Sequence, residues 1–231
     1  HNKGMELSID TSTRYANIGL SSNGSLIAGY SWISSQNHTV ELLPSVLQLL
    51  RSSKVEQQNL KCIIVAIGPG GFSALRVGIS TAKGLSIGLQ IPVVAVNTLE
   101  LEAYPFRNLG YQICPVIDMG RQDMITAFYD YTGSTWGKLT PETLIKPSDL
   151  IESLDKPTII CGEAAPRCAT EIAAPETTFA VFTDQSPPTR SPANLAEIGY
   201  LRLQTGQTED PSALQPIYGR QASITSPKRL K

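Results

Sequence analysis

The sequence predicts a duplicated α/β fold, and two observations support this prediction. Short apolar runs such as residues 62–67 are rich in Ile and Val and too short to cross a membrane, which is typical of strands buried on both faces. A unit of strand, aspartate, polar loop and hairpin also occurs twice, because Gly24 follows Asp10 and Gly133 follows Asp118 at nearly the same spacing. Such an internal repeat indicates two similar halves.

Length and composition are those of a globular protein. The 231 residues, 41% hydrophobic and 17% charged, suffice for one large or two small domains. The formal net charge is −1, whereas a protein that binds a nucleic acid backbone unaided usually carries a basic excess. The basic residues cluster at Lys228, Arg229 and Lys231, so we expect no direct binding of nucleic acid by the chain alone.

The cysteines and the first residues favour a cytoplasmic protein. The four cysteines form no C-x-x-C pair, which favours buried reduced thiols, although a disulfide between two of them remains an alternative. We expect no signal peptide, and residues 1–4, which precede Met5, are interpreted as a remnant of cloning.

The first half is predicted to open with a strand and a hairpin. Residues 6–10 form a short strand that ends in Asp10, and a polar loop follows over 11–14. Residues 15–20 and 26–32 then flank a Ser-Asn-Gly turn, which is typical of a β-hairpin.

An amphipathic helix is predicted over 39–52. Leu42 and Val46 recur at helical spacing with further leucines, so one face is expected to be buried. Pro44 lies inside this span, which requires either a start near Leu43 or a kink.

A glycine loop at 68–71 follows the strand 62–67 and opens a long helix that runs to about residue 89. Glycines allow the tight reversal, and Ser73 is the expected N-cap of the helix. The loop also resembles a phosphate-binding turn, but it fits neither the Walker A nor the dinucleotide-binding pattern. Both interpretations, a structural turn and a phosphate site, remain open from the residues.

Two ridges of small side chains mark this helix, although each glycine in a helix interior costs about 1 kcal/mol relative to alanine. The first ridge consists of Ala74, Gly78 and Ala82, and the second of Ser80, Gly84 and Gly88. One ridge is expected to pack on the parent sheet and the other to meet a second helix, either of this chain or of another. Arg76 and Lys83 interrupt the apolar run, so the helix is not a membrane span.

The remaining elements are predicted from shorter signals. The expected strands are 91–96, 113–117, 124–131, 158–161 and 178–182, with a turn at Thr132 and Gly133. Asn97 and Thr98 are expected to cap a helix over 99–104.

A polar, proline-rich linker over 184–192 leads to the last predicted helix. Ser191 is the expected cap and Pro192 the first helical residue, with Leu195, Ile198 and Leu201 on one face and Gly206 as the stop. A final segment, 216–220, precedes the C-terminal residues.

Asp10 and Asp118 end equivalent strands and are candidates for binding magnesium or a magnesium-bound phosphate. The hydroxyls of Thr11, Ser12 and Thr13 strengthen the phosphate interpretation for the first loop only. The alternative is that each aspartate caps its own loop through backbone amides. Outside residues 1–4 the one histidine is His38, so the sequence contains no histidine pair for a transition metal and no G-x-S-x-G motif for a serine hydrolase.

Five segments together resemble the bacterial TsaB (YeaZ) family of tRNA threonylcarbamoyladenosine biosynthesis proteins. They are MELSIDTST, NHTVELLP, IGPGGFSALRVGISTAKGLSIGLQIPVVAVNTLE, VIDMGRQDMITAFYDY and PIYGR. The family usually shows GPGSFTGLR, and here Gly71, Ser73 and Ala74 stand in for its serine, threonine and glycine.

The resemblance implies an actin-like, Hsp70-like (ASKHA) fold with two duplicated ribonuclease-H-like halves. Residues 5–104 with about 191–210 would form the first half, residues 105–190 the second half, and residues 211–231 a C-terminal tail. The chain would be a non-catalytic subunit that activates or scaffolds TsaD, the catalytic paralogue, for threonylcarbamoyl transfer to the adenosine beside the tRNA anticodon.

The resemblance also implies the partners and their contact surface. A TsaE-like ATPase would join the complex, the isolated chain would form a homodimer, and tRNA would be reached only through the complex, without a membrane. The implied interface lies on two helices of the first half and comprises His38, Leu42, Val46, Phe72, Ala74, Arg76, Val77, Gly78, Thr81, Ala82 and Leu85.

No intrinsic cofactor is expected in this interpretation. The alternative function is an ATP-dependent small-molecule phosphotransferase of the actin-like superfamily, in which Asp10, Thr11, Ser12 and Asp118 would hold ATP or ADP with Mg²⁺. A peptidase ranks third, because it would need a metal site that these residues do not supply.

Overall fold

The protein contains two β-sheets built to the same plan. The computed structural model describes residues 4–35, 37–120, 123–171, 179–183 and 185–219. The strands of the first sheet are β1 (Met5–Asp10), β2 (Tyr15–Ser22), β3 (Ser25–Ile33), β4 (Leu60–Ala66) and β5 (Val93–Val96). Those of the second sheet are β6 (Gln112–Asp118), β7 (Met124–Thr126), β8 (Tyr129–Thr132), β9 (Thr135–Lys138), β10 (Thr143–Ile145), β11 (Thr158–Cys161) and β12 (Ala180–Phe182).

The strand orders confirm the duplicated α/β fold. The first sheet has the order β3-β2-β1-β4-β5, and the second has β10-β7-β6-β11-β12 with the hairpin β8–β9 at its side. In each sheet the central strand, β1 or β6, pairs antiparallel with the next strand and parallel with a later one. Asp10 and Asp118 therefore end corresponding strands, as the sequence repeat predicts.

Among the described residues, six α-helices cover the two sheets. They are α1 (His38–Ser52), α2 (Phe72–Leu89), α3 (Thr98–Ala103), α4 (Pro147–Glu152), α5 (Ala165–Glu171) and α6 (Pro192–Gln204). Helix α6 contacts all five strands of the first sheet, so the chain returns to its first half after the second sheet. Within the described ranges, no helix is both long and apolar enough to cross a membrane.

The first sheet is buried on both faces, and strand β4 shows this most directly. Ile63 and Val65 belong to the core under α1 and α2, whereas Cys62 and Ile64 pack with Leu195 and other residues of α6 and β5. This alternation explains why β4 is a continuous apolar run instead of an alternating one.

The segment that follows α6 packs along the same half. Glu209 N donates to Val93 O at 2.9 Å, and Ile217 N donates to Ile67 O at 2.7 Å. Tyr218 then stacks on the ring of Phe72, with 4.8 Å between the ring centroids. Residues beyond 219, including part of the predicted segment 216–220, lie outside the described residues, as do residues 1–3.

Helix α1 includes Pro44, so the predicted alternative start near Leu43 is wrong. A proline inside a helix costs about 3 kcal/mol. The buried face of α1 outweighs this cost, because Leu42, Val46 and Leu49 are almost completely buried and each such side chain contributes about 1.5–3 kcal/mol.

Helix α2 begins at Phe72, and its N-cap is Gly71, two residues before the predicted cap Ser73. Gly71 N donates to Ser12 O at 2.7 Å, and this long-range bond holds Gly71 in an extended conformation. Ser73 consequently lies in the first turn, and its predicted capping role is wrong.

The hairpin and two further caps are confirmed. Asn23 and Gly24 have positive φ values of 51° and 76° between β2 and β3, which a type I′ turn requires. Asn97 accepts from two amides of α3, and Ser191 accepts from Ala193 N at the start of α6.

Two predictions in the later part of the chain need correction, and two helices there had no prediction. The predicted strand 124–131 is interrupted after Thr126, because β7 pairs with β6 and β10 whereas β8 pairs mainly with β9. Leu201, placed on the buried face of the last helix, is 52% exposed. Helices α4 and α5 were not predicted. Thr178 and Asp184, at the edges of a predicted strand and linker, lie outside the described residues.

The two small-residue ridges of α2 have different surroundings. Gly78 and Ala82 are buried, and a Cβ at Gly78 would overlap Thr11 Oγ1. At Gly84 and Gly88 a Cβ would meet no atom of the described residues within 4 Å. The first ridge therefore packs on its own sheet, and the second, which we call the open ridge (Ser80, Gly84 and Gly88), faces outward.

We expect Gly78→Ala to lower the free energy of unfolding by about 1–3 kcal/mol, because the added methyl group overpacks the contact with Thr11. Gly84→Ala is the matched control in the same helix, and it should raise the free energy of unfolding by up to about 1 kcal/mol through helix propensity. Urea denaturation of both variants checks this. Equal shifts in the same direction would contradict the assigned packing.

Candidate functional site

The loop after β1 and the last residue of β6 meet at a cleft between the two halves. The cleft, about 480 Å³ in volume, is lined by Thr13 and Arg14 from the first loop and by Asp118 and Glu163 from the second half, among other residues. The duplicated topology thus brings the first predicted loop close to Asp118, at the end of the corresponding strand of the second half. Asp10 lies beneath the cleft and is completely buried.

Asp10 caps its own loop and also binds an arginine. Its Oδ1 accepts from Ser12 N at 2.8 Å, and its Oδ2 accepts from Asn17 Nδ2 at 3.2 Å. Arg190 Nε donates to the same Oδ2 at 2.6 Å. The loop-capping interpretation is therefore the one that the structure supports for Asp10.

Arg190 is the centre of a buried ionic cluster. Its Nη1 faces Glu102 Oε1 at 2.9 Å and also Glu163 Oε1, while Nη2 donates to Thr13 Oγ1 at 2.8 Å. Burial alone would lower the pKa of Arg190, but Asp10, Glu163 and Glu102 raise that pKa well above its usual value. The guanidinium is therefore always charged, and we call Arg190, Asp10, Glu102, Glu163 and Thr13 the Arg190 cluster.

Glu102 is the least satisfied member of the Arg190 cluster. Its Oε1 accepts from Thr189 Oγ1 at 2.8 Å and from Arg190, but its buried Oε2 has no hydrogen-bond partner among the described residues. Burial raises the pKa of Glu102 from 4.5 to about 7, although Arg190 opposes the shift. Glu102 therefore keeps its proton to a higher pH than an ordinary glutamate does.

The residues predicted to hold magnesium and a phosphate do not fit these groups. Asp118 accepts from Gly120 N at 2.7 Å and pairs with Arg167 Nη1 at 2.8 Å, so each aspartate already faces an arginine. A guanidinium beside each carboxylate repels a divalent cation. Across the described ranges, no group of three or more His, Cys, Asp or Glu residues is arranged to hold a metal ion.

The hydroxyls of the first loop are also engaged inside the protein. Thr11 Oγ1 donates to Ala74 O at 2.7 Å, and Ser12 Oγ hydrogen-bonds Thr98 Oγ1 at 2.8 Å. Both side chains are buried. They join the loop to α2 and α3, so they are not free to bind a phosphate.

The residues predicted as a partner interface divide into two groups. His38, Leu42, Val46, Gly78 and Ala82 are buried in the first half, and His38 Nε2 lies 3.1 Å from Thr13 O. These five residues support the surface from inside. The remaining six are partly or fully exposed, and they are Phe72, Ala74, Arg76, Val77, Thr81 and Leu85.

Sequence reasoning missed three exposed apolar residues on the same two helices. Val40 and Leu43 on α1 are 69% and 47% exposed, and Ile87 on α2 is 61% exposed. Helices α1 and α2 contact each other, so these three residues and the open ridge lie on the exposed sides of two neighbouring helices. The sequence contained a signal for two of them, because Val40 and Leu43 lie at positions of α1 that face away from its buried leucines.

Arg190, Glu102 and Glu163 were also missed as a cluster. They come from the segment before α6, from α3 and from the loop after β11, and Arg190 stands 180 residues from Asp10 in the sequence. A single arginine inside a polar proline-rich linker was the signal, and it gave no indication of its partners.

Comparison with known proteins finds similarity to two families, TsaD and TsaB. The family model for TsaD, tRNA N6-adenosine threonylcarbamoyltransferase, matches residues 32–183. The tRNA threonylcarbamoyladenosine biosynthesis protein TsaB of Bacillus subtilis is 33% identical over 68% of this chain and 69% of its own length. The protein of the same name from Escherichia coli is 29% identical over 65% of this chain and 66% of its own length. These alignments span about two thirds of each relative.

A solved structure covers more of the fold. The structure described as YeaZ from Pseudomonas aeruginosa superposes with a TM-score of 0.77 at 22% identity, over 93% of this chain and 99% of the other. At this identity the superposition establishes the fold alone.

We expect Arg190→Met to lower the free energy of unfolding by about 3–5 kcal/mol, because buried carboxylates would lose their counter-charge. Arg167→Met is the control, since it removes an arginine whose ion pair with Asp118 is partly exposed, and its cost should stay within about 1 kcal/mol. Chemical denaturation at about pH 7 measures the free energy of unfolding of both variants. A loss at Arg190 no larger than at Arg167 would contradict a central role for the cluster.

Proposed function

The chain belongs to the TsaB family and has the actin-like α/β fold, and on this premise we propose that it is a non-catalytic partner subunit in tRNA threonylcarbamoyladenosine biosynthesis. In this role it binds a TsaD-like catalytic paralogue and positions or activates it for threonylcarbamoyl transfer. A TsaE-like ATPase completes the assembly, and tRNA is contacted through the complex in the cytoplasm.

One observation carries the proposal, namely the outer surface of α1 and α2. Val40, Leu43 and Ile87 expose apolar side chains there, and Gly84 leaves the backbone of α2 accessible. Glycine in an exposed helix interior has no benefit for the monomer, because alanine would be more stable by about 1 kcal/mol. A partner helix that packs closely on the backbone explains both features.

We propose that the isolated chain self-associates through the same surface. Two copies that pair through their α1 and α2 faces would bury the apolar residues that the paralogue otherwise covers. A homodimer and the complex with the paralogue would then compete for one surface, so the homodimer should dissociate when the paralogue is added.

We further propose that the chain holds no nucleotide between its own halves. The support is the Arg190 cluster, which places a guanidinium against Asp10, and the ion pair that engages Asp118. Calorimetric titration of the isolated chain with ATP and Mg²⁺ should give no binding, whereas saturable binding abolished by Asp118→Asn would favour the phosphotransferase alternative.

We expect Gly84→Leu to weaken binding to the TsaD paralogue at least tenfold, about 1.4 kcal/mol, while the monomer remains folded. The leucine projects into the space that the partner helix needs. Gly137→Leu is the matched control, because Gly137 on β9 is equally open but lies on the second sheet. Calorimetry measures affinity, and circular dichroism checks folding.

The functional test is threonylcarbamoyl transfer to tRNA, reconstituted from TsaD, TsaE, tRNA and threonylcarbamoyl adenylate. Omission of this chain should abolish or strongly reduce modification, and Gly84→Leu should reduce it in proportion to the lost affinity. Modification that proceeds equally well without the chain would overturn the proposed function.

A further inference from the structure

We propose that the Arg190 cluster is a proton-linked latch between the two halves of this chain. When its carboxylates hold one proton, Glu163 of the second half stays bound to Arg190 and Thr13. When that proton is lost, Glu163 is released and the loop after β11 separates from the loop after β1. This proposal does not depend on the partner role proposed above.

The charge balance of the cluster calls for a proton. One guanidinium, that of Arg190, contacts three carboxylates, those of Asp10, Glu102 and Glu163. With all three ionised, the buried cluster would carry two excess negative charges. Uptake of one proton halves this excess, and buried like charges favour such uptake.

The geometry places that proton on Glu102. Glu102 and Glu163 both direct an Oε1 at the same nitrogen, Arg190 Nη1, so the two carboxylates lie close together. Asp10 is held by three donors, whereas Glu102 Oε2 is buried without a partner among the described residues. Burial, together with the nearby charge of Glu163, also raises the pKa of Glu102 to about 7.

The other groups around Glu102 do not supply a competing charge. Thr189 donates to Oε1, and Cys161 Sγ lies 3.7 Å from the backbone oxygen of Glu102. Burial raises the pKa of Cys161 well above its ordinary value, so the thiol is neutral. Among the described residues, the charged groups facing Glu102 are therefore Arg190 and Glu163, with Asp10 behind Arg190.

Glu163 is the member that is able to move. Its side chain is 10% exposed, against 1% or less for Arg190, Asp10 and Glu102, and it lines the cleft. It connects the halves through Arg190 and through Thr13, whose Oγ1 donates to Glu163 Oε1 at 2.6 Å. Ionised Glu102 repels Glu163 towards the solvent-filled cleft, which breaks both connections.

The pH range follows from the direction of the pKa shift. Because the closed state binds the proton of Glu102 more tightly than an open, hydrated state, closure is favoured below the ordinary pKa of 4.5 and weakens as the pH rises to about 7. With one linked proton, the equilibrium constant for closure falls by at most about tenfold per pH unit in this range. Above this range the equilibrium constant no longer depends on pH.

Hydrogen exchange of the loops at 11–15 and 162–165 tests the latch on the full chain. After correction for intrinsic exchange, protection of both loops should fall between pH 5 and pH 7, by up to about tenfold per unit. In Glu102→Gln, which mimics the protonated acid, protection should stay constant. Glu197→Gln is the control, because Glu197 pairs with Arg107 outside the cluster, and it should keep the pH dependence of the original chain.

The proposal is overturned if protection of the two loops in the original chain does not change with pH. It is also overturned if protection in Glu102→Gln changes with pH as it does in the original chain. If Glu102→Gln does not fold, infrared titration of the original chain decides, since a carboxyl band with a midpoint near pH 7 is expected well above the range of exposed carboxylates. The absence of any such band would also overturn the latch.

Discussion

The contact of Arg190 with three acidic side chains is the interaction on which the arrangement of the two halves depends. A buried guanidinium without partners would cost several kcal/mol, and so would each buried carboxylate. Their combination is tolerable because every polar edge of Arg190 finds an acceptor. Since its three acidic partners come from β1, α3 and the loop after β11, this one side chain joins both halves to the segment that enters α6.

Helix α2 has glycines on two sides, one that packs against the interior of the protein and one that faces outward. Gly78 is a glycine because Thr11 must approach the helix closely enough to donate to Ala74 O. Gly84 is surrounded by open space in the monomer. The first glycine is explained by packing within the chain, and the second acquires an explanation only when another molecule is considered.

Local features were predictable from the sequence, whereas long-range ones were not. The turn at Asn23 and Gly24 and the caps at Asn97 and Ser191 follow from residues within a few positions of one another. Ser73 failed as a cap because a bond from Gly71 to Ser12, distant in the sequence, sets the first turn of α2. Arg190 could not be assigned for the same reason, since no local pattern reveals which acidic residues will surround a buried arginine. The break between β7 and β8 depends likewise on their different partner strands.

The return of α6 to the first sheet has a consequence for synthesis on the ribosome. Residues before α6 contain both sheets, yet Ile64 and Val94 of the first sheet have their outer face covered by α6, where Gly199 lies directly over Ile64. Domains usually fold in the order in which they emerge. Here one apolar face of the first sheet stays uncovered until the second sheet and α6 have been translated, so nascent chains are expected to need shielding during that interval.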